Sequence, residues 1–160
     1  ASMTKVMSSY VIADQIANDF LGLDDSVLIS EKAWRMEGSK MFIEQGKRVS
    51  VLDLLKGVII QSGNDATVAL AEYVGGTEDG FVDLMNSYAA SMGLSNTLFQ
   101  NSTGLPDGNH FSSAKDLATM TSLLINNMRG INATYDQLGN FLSYVDMGEE
   151  YNINLNNFEI

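Results

Sequence analysis

Hydrophobic side chains recur every three or four positions along much of the chain, which is the spacing typical of amphipathic helices. The first such stretch begins close to the N-terminus and predicts a helix over residues 3–20. Further stretches predict helices over residues 51–61, 66–74, 78–92 and 113–127. Glycines follow several of these stretches and suit helix ends, namely Gly22, Gly75, Gly76 and Gly93. The pattern therefore predicts a mainly helical chain.

Polar residues at the predicted helix starts indicate caps. Ser50 precedes the second helix and has Asp53 three positions further on, as in a capping box. Asp65 and Ser112 are the predicted caps of the third and fifth helices. Within the second helix, the apolar face predicted to enter the core consists of Leu52, Leu55, Val58 and Ile59.

Strand signals are few and short. Residues 27–30 are rich in branched side chains and predict one short strand. Residues 40–43 and 48–51 flank a loop that carries Gly46, which predicts a β-hairpin. Residues 96–100 predict a short extended piece, and residues 101–109 predict a loop.

The last thirty residues differ from the rest in composition. No Lys or Arg follows Arg129, whereas five acidic residues do. The apolar spacing there allows one more helix, and Ile153 and Leu155 alternate with asparagines as in an edge strand. We therefore expect two parts, residues 1–128 and a divergent acidic tail over residues 129–160.

Composition narrows the possible functions. With 45% hydrophobic and 18% charged residues, 160 residues are enough for one domain with a sizeable core. The net charge of −11 argues against nucleic acid as a partner, since nucleic acid requires a basic surface. Zero cysteines exclude disulfides, and one histidine makes a zinc site unexpected. No apolar stretch is long enough to span a bilayer, and no signal peptide is visible.

Candidate chemistry begins with Ser2 and Lys5. Residues three positions apart share one face of a helix, so the hydroxyl and the amine are expected side by side at the start of the first helix. A serine hydroxyl becomes a good nucleophile when a neighbouring base removes its proton, and a lysine with a lowered pKa can be that base. Backbone N–H groups at the helix start could stabilise an oxyanion. The alternative is that Ser2 only caps the helix.

A second motif, Ser62-Gly63-Asn64, lies about sixty residues further on. S-x-x-K combined with a serine–asparagine element is typical of β-lactamases and penicillin-binding proteins.

Two other residues attract attention. His110 could be a general base, but we favour a positioning or solvent role, and Trp34 could border a cleft or be a half-buried aromatic.

The chain resembles the low-molecular-weight penicillin-binding proteins that act as D-alanyl-D-alanine carboxypeptidases. The resemblance covers about residues 1–128 and rests on several segments, namely residues 1–7, 9–12, 57–66, 84–86, 92–94, 97–100, 103–105 and 111–116. It implies that Ser2 is the nucleophile, Lys5 the general base and Ser62 a proton relay. Asn64 would bind the peptide substrate or help to hold Lys5. The resemblance implies no metal and no cofactor.

The family's third motif, Lys-Thr-Gly, is absent from this sequence. In the family it lies on a strand that walls the cleft and supplies a cation and an oxyanion donor. We therefore expect the helical lobe of the β-lactamase/transpeptidase-like α+β fold, mainly α with a few short strands. The N-terminal and C-terminal sheet strands would be missing. The N-terminus would then be a boundary of processing or truncation, although Ala1 could also be a mature start.

Three functions remain open from the sequence. The first is a D-alanyl-D-alanine carboxypeptidase, partial here and weak or inactive alone, which acts on peptidoglycan pentapeptides and is acylated by β-lactams. The second is a β-lactamase relative. The third is a non-catalytic lobe or interaction module. The resemblance places the protein in the bacterial periplasm or cell envelope, and a second chain could complete the sheet.

Overall fold

The described part of the chain consists mainly of helices, as the hydrophobic pattern predicts. The computed structural model describes residues 1–130, so the predicted helix and edge strand of the acidic tail lie outside it. A 3₁₀ turn over Ser2–Thr4 comes first. The elements that follow are α1 Lys5–Ala17, β1 Ser26–Leu28, α2 Glu31–Arg35, β2 Arg48–Ser50, α3 Val51–Ile60, α4 Asn64–Gly75, α5 Glu78–Ser91 and α6 Ala114–Gly130.

Helix α1 is the central helix of the core. It packs against α3, α4, α5 and α6, and Met7, Val11 and Ile12 are fully buried. The predicted helix over residues 3–20 is too long at both ends. Its first residues form the 3₁₀ turn, and at its end Asp19 has a left-handed φ of 58°. Phe20 is therefore outside the helix and exposed rather than in the core.

The predicted hairpin between residues 40–43 and 48–51 is wrong. β2 pairs antiparallel with β1, with Val27 opposite Val49, so the strand over residues 27–30 is confirmed and its partner is different. Residues 40–43 form no strand because the Asp65 carboxylate accepts from the backbone N–H groups of residues 41–43. The N–H groups of Met41 and Phe42 donate to it at 3.0 and 2.9 Å.

The predicted helix caps are partly confirmed. The Ser50 hydroxyl accepts from the Asp53 N–H at the start of α3. Asp65, however, lies inside the first turn of α4 and binds residues 41–43 instead of capping the helix. The cap of α6 is Ser113, not Ser112, because the Ser113 hydroxyl accepts from the Asp116 N–H.

The apolar face predicted for α3 is also partly confirmed. Leu55 and Val58 are buried, together with Leu54, whereas Ile59 is exposed. α5 begins at Glu78 as predicted, with Phe81 and Met85 in the core. None of the helices described over residues 1–130 is long and apolar enough to cross a membrane.

Candidate active site

Ser2 and Lys5 lie side by side at the entry to the central helix. Ser2 opens the 3₁₀ turn and Lys5 is the first residue of α1. Lys5 Nζ is 3.4 Å from Ser2 Oγ. The spacing of three residues therefore places the amine beside the hydroxyl. The alternative reading of Ser2 as a cap has no support, because neither this turn nor α1 has a side-chain cap hydrogen bond.

Lys5 Nζ has two further partners, both acceptors. It donates to Asn64 Oδ1 at 2.7 Å and to the backbone carbonyl of Thr103 at 3.0 Å. A neutral lysine amine has two N–H bonds and one lone pair. With both N–H bonds directed at Asn64 and Thr103, the lone pair is left for the Ser2 hydroxyl. This is the arrangement that a general base needs.

The environment of Lys5 shifts its protonation equilibrium toward the neutral amine. Lys5 is buried, and no carboxylate among residues 1–130 forms an ion pair with it. Burial lowers the pKa of Lys5 from that of a free lysine, because the ammonium form loses hydration. A lysine with a lowered pKa is a better base at neutral pH.

Asn64 is held by the loop before β2. Its Nδ2 donates to the carbonyl of Glu37 at 2.6 Å, and its backbone N–H donates to the carbonyl of Ser39 at 2.7 Å. The first of these bonds fixes the orientation of the amide, so that Oδ1 faces Lys5. Gly38 makes this contact possible, since a Cβ there would lie 2.8 Å from Asn64 Nδ2.

Ser62 is near this cluster in the chain but is not joined to it by hydrogen bonds. Among the described residues, its hydroxyl bonds to neither Ser2 nor Lys5. Its φ is 54°, a left-handed conformation that is uncommon for residues other than glycine. Such conformations cluster at functional sites. The structure thus brings Ser2, Lys5 and Asn64 together, and the relay role of Ser62 stays a prediction.

The loop over residues 101–105 closes the other side of Lys5, and sequence reasoning missed its role. Thr103 acts through its carbonyl, which no side-chain motif reveals. Gly104 has a φ of +83°, and a Cβ there would lie 1.9 Å from the Ala1 carbonyl oxygen. Glycine is therefore required where this loop touches the turn that carries Ser2. The Thr103-Gly104 pair was the available signal.

His110 contacts the 3₁₀ turn that carries Ser2, through Thr4. Its Nδ1 accepts from the Gln100 N–H at 3.1 Å, so the ring proton is on Nε2, which lies 2.7 Å from Thr4 Oγ1. Burial and the nearby Ala1 amine lower the pKa of His110. The ring contacts Thr4, not Ser2, which agrees with the expected positioning role. Within residues 1–130, no cluster of side chains is suited to hold a metal ion.

Comparison with known proteins places this chain in a family. A family model described as D-alanyl-D-alanine carboxypeptidase matches residues 1–156. The curated carboxypeptidase DacC of Escherichia coli is 46% identical over 134 residues, and DacF of Bacillus subtilis is 45% identical over 125 residues. These alignments cover 80% and 78% of this chain but 34% and 32% of the relatives. The chain thus spans about a third of their length.

Solved structures agree with the sequence matches. The carboxypeptidase DacD from Francisella tularensis has a TM-score of 0.78 at 45% identity, covering 81% of this chain and 32% of its own. Penicillin binding protein 5 from Haemophilus influenzae also has a TM-score of 0.78, at 44% identity, with 81% and 38% covered. The fold is that of the penicillin-binding proteins. Within that class, the chain belongs to the D-alanyl-D-alanine carboxypeptidase family.

Proposed function

We propose that this chain is part of a serine-type D-alanyl-D-alanine carboxypeptidase that removes the terminal D-alanine from peptidoglycan stem peptides. Ser2 Oγ attacks the carbonyl carbon of the penultimate D-alanine. The serine proton passes to Lys5 Nζ and then to the nitrogen of the departing D-alanine. The product of this step is an ester between Ser2 and the shortened peptide. Water then cleaves the ester and frees Ser2.

One observation supports this proposal most strongly, namely the buried Lys5 amine beside Ser2 Oγ. Two fixed acceptors take its N–H bonds, and no carboxylate among the described residues holds it as an ammonium. A buried lysine that served only structure would be expected to form an ion pair. The acceptors of Lys5 are instead an amide and a backbone carbonyl, both neutral.

Ser62 and Asn64 complete the proposed site. Asn64 holds Lys5 and could also accept from the peptide amide of a substrate. We propose Ser62 as the relay that carries the proton to the leaving amine, since it precedes Asn64 by two residues on the same turn. This role requires the Ser62 hydroxyl to lie within hydrogen-bond reach of the leaving amine.

The proposal extends to inhibitors and location. A β-lactam is a cyclic amide that can acylate Ser2 by the same attack. A peptidoglycan substrate would require a location in the bacterial cell envelope, and we propose the periplasm. Because the chain spans a third of its relatives, a second chain or further segments could supply the strand that walls the cleft.

Release of D-alanine from a synthetic peptide that ends in Lys-D-Ala-D-Ala tests the proposed reaction. The wild-type chain should release D-alanine slowly, since this sequence lacks the Lys-Thr-Gly motif, and Ser2→Ala should release none. Ser26→Ala is the matched control, because Ser26 lies on β1 in an exposed position. Release by Ser2→Ala at the wild-type rate would overturn the assignment of the nucleophile.

The same peptide and a penicillin separate this reaction from that of a β-lactamase. A carboxypeptidase releases D-alanine and hydrolyses its penicilloyl ester slowly. A β-lactamase hydrolyses the penicillin rapidly and leaves the peptide intact. A well-folded wild-type chain that does neither is a non-catalytic module, and the proposed function then fails for this chain.

A further inference from the structure

A buried carboxylate outside the proposed reaction lies behind the loop that faces Lys5. Glu78 is the first residue of α5 and is only 8% exposed. Its Oε2 forms an ion pair at 2.7 Å with Lys32, which extends from α2. Burying a carboxylate is costly unless ion pairing and hydrogen bonds compensate for the lost hydration. The partners of Glu78 therefore indicate its role.

The second oxygen of Glu78 holds one residue of the loop over residues 101–105. Glu78 Oε1 accepts from the Ser102 N–H at 3.1 Å and from Ser102 Oγ at 2.7 Å. The Ser102 carbonyl in turn accepts from the Ser8 hydroxyl at 2.7 Å, one turn beyond Lys5 on α1. Ser8 and Ser102 are both fully buried. Ser102 is thus fixed on its amide, hydroxyl and carbonyl groups.

The next residue in the chain contacts the lysine itself. The Thr103 carbonyl accepts from Lys5 Nζ at 3.0 Å. Because Ser102 is fixed at three groups, the peptide unit that joins it to Thr103 has little freedom. The Thr103 carbonyl lies in the following peptide unit, so its position over the amine depends on this anchored backbone. Glu78 and Lys5 are joined through two consecutive residues of one loop.

We propose that Glu78 is a positioning residue for the Ser2–Lys5 pair, acting through Ser102 to hold the Thr103 carbonyl against Lys5 Nζ. The importance of this role for catalysis rests on the proposed function. Lys32 balances the charge of Glu78 from the protein surface. If the loop is released, water reaches Lys5, the ammonium form regains hydration, and less neutral base is present at neutral pH.

Two double variants isolate the acceptor from the charge. Lys32→Met with Glu78→Gln removes both charges and keeps an oxygen that can accept from Ser102. Lys32→Met with Glu78→Ala has the same net charge and lacks the acceptor. The test is an NMR titration of lysine Cε in the 160-residue chain, with the Lys5 signal assigned from Lys5→Arg. Asp79→Asn is a control on the same turn of α5, at an exposed position.

The pKa of Lys5 should be higher than in the wild type in the double variant with Glu78→Ala. It should be as in the wild type in the double variant with Glu78→Gln and in Asp79→Asn. Acylation by penicillin should then be roughly tenfold slower at neutral pH in the alanine variant and close to wild type in the glutamine variant. If Glu78 only stabilises the fold, the alanine variant unfolds at a lower temperature, yet Lys5 titrates alike in both double variants. That result would overturn the proposal.

Glu78→Asp covers the case in which the alanine variant does not fold. It keeps the charge and shortens the side chain by one methylene, so it cannot reach both Ser102 and Lys32. The pKa of Lys5 should rise, and an unchanged titration would contradict the inference. The titration needs no activity. If the wild type forms no penicillin adduct, the proposed function fails, while the Lys5 titration still tests the role of Glu78.

Discussion

Two segments contact the Lys5 amine, and they hold it by different means. The start of α4 contributes a side chain, Asn64 Oδ1. The loop over residues 101–105 contributes a backbone carbonyl, that of Thr103. The first segment is set by two backbone carbonyls of a neighbouring loop, and the second by the buried Glu78 carboxylate.

This difference explains which half of the site a sequence reveals. A side-chain ligand such as Asn64 leaves a motif, because only a few residue types can replace it. A backbone carbonyl leaves none, because every residue has one. The residues that reveal the second segment are those that fix its path, namely Ser8, Glu78, Ser102 and Gly104.

The largest effect is expected from replacing Lys5, the residue that both segments hold. Lys5→Arg keeps a positive donor for Asn64 and Thr103, but a guanidinium does not deprotonate in proteins. Acylation by a fluorescent penicillin should fall about 100- to 10,000-fold, the usual contribution of a general base. Lys56→Arg on α3 is the control. Acylation within a few fold of wild type in Lys5→Arg would exclude Lys5 as the base.

Asn64→Ala removes only the acceptor that α4 provides to Lys5. Lys5 then keeps the Thr103 carbonyl and loses its other acceptor, and the Glu37 carbonyl loses its donor. Since the amine is less well oriented, we expect acylation to be slower by about 10- to 100-fold. Stopped-flow measurement with a chromogenic β-lactam gives the rate, and the exposed Asn96→Ala is the control. Equal rates in the two variants would show that Asn64 does not orient the base.

Gly104→Ala disturbs the second segment, the loop over residues 101–105. The new Cβ would clash with the Ala1 carbonyl, and the left-handed φ is strained for alanine. We expect the free energy of unfolding in urea to fall by about 1–3 kcal/mol. Gly108→Ala, four residues further along the chain, is the matched control, because a Cβ there meets nothing within 4 Å. If both variants are equally stable, the loop does not depend on the contact between Gly104 and Ala1.

The smallest expected effect is the pH dependence contributed by His110. Burial holds its pKa below the ordinary value, so the folded chain binds fewer protons than the unfolded chain at mildly acidic pH. Its contribution to stability is therefore complete above the ordinary pKa of about 6.5 and is lost as the pH falls through the folded value. NMR of this single histidine measures the pKa directly. Titration at or above the ordinary value would contradict the neutral ring inferred from the Gln100 contact.

The sequence predicts the helices well because their apolar spacing is regular. It also predicts the Ser2–Lys5 contact, since three residues along a helical turn fix that geometry locally. The hairpin prediction is wrong because the backbone N–H groups of residues 41–43 donate to the Asp65 carboxylate. This is a tertiary contact, which strand propensity does not reveal. The Lys5–Asn64 contact, 59 residues apart in the chain, was expected only from the family resemblance. The roles of Thr103 and Glu78 depend on loop geometry, which no local pattern describes.

Intact-protein mass spectrometry after incubation with a penicillin tests the central claim that Lys5 activates Ser2. The account predicts a single covalent adduct on the wild-type chain, which peptide mapping assigns to Ser2. Ser2→Ala should form no adduct, and Lys5→Arg should form one far more slowly. An adduct that survives Ser2→Ala, or a folded wild-type chain that forms none, would contradict the account.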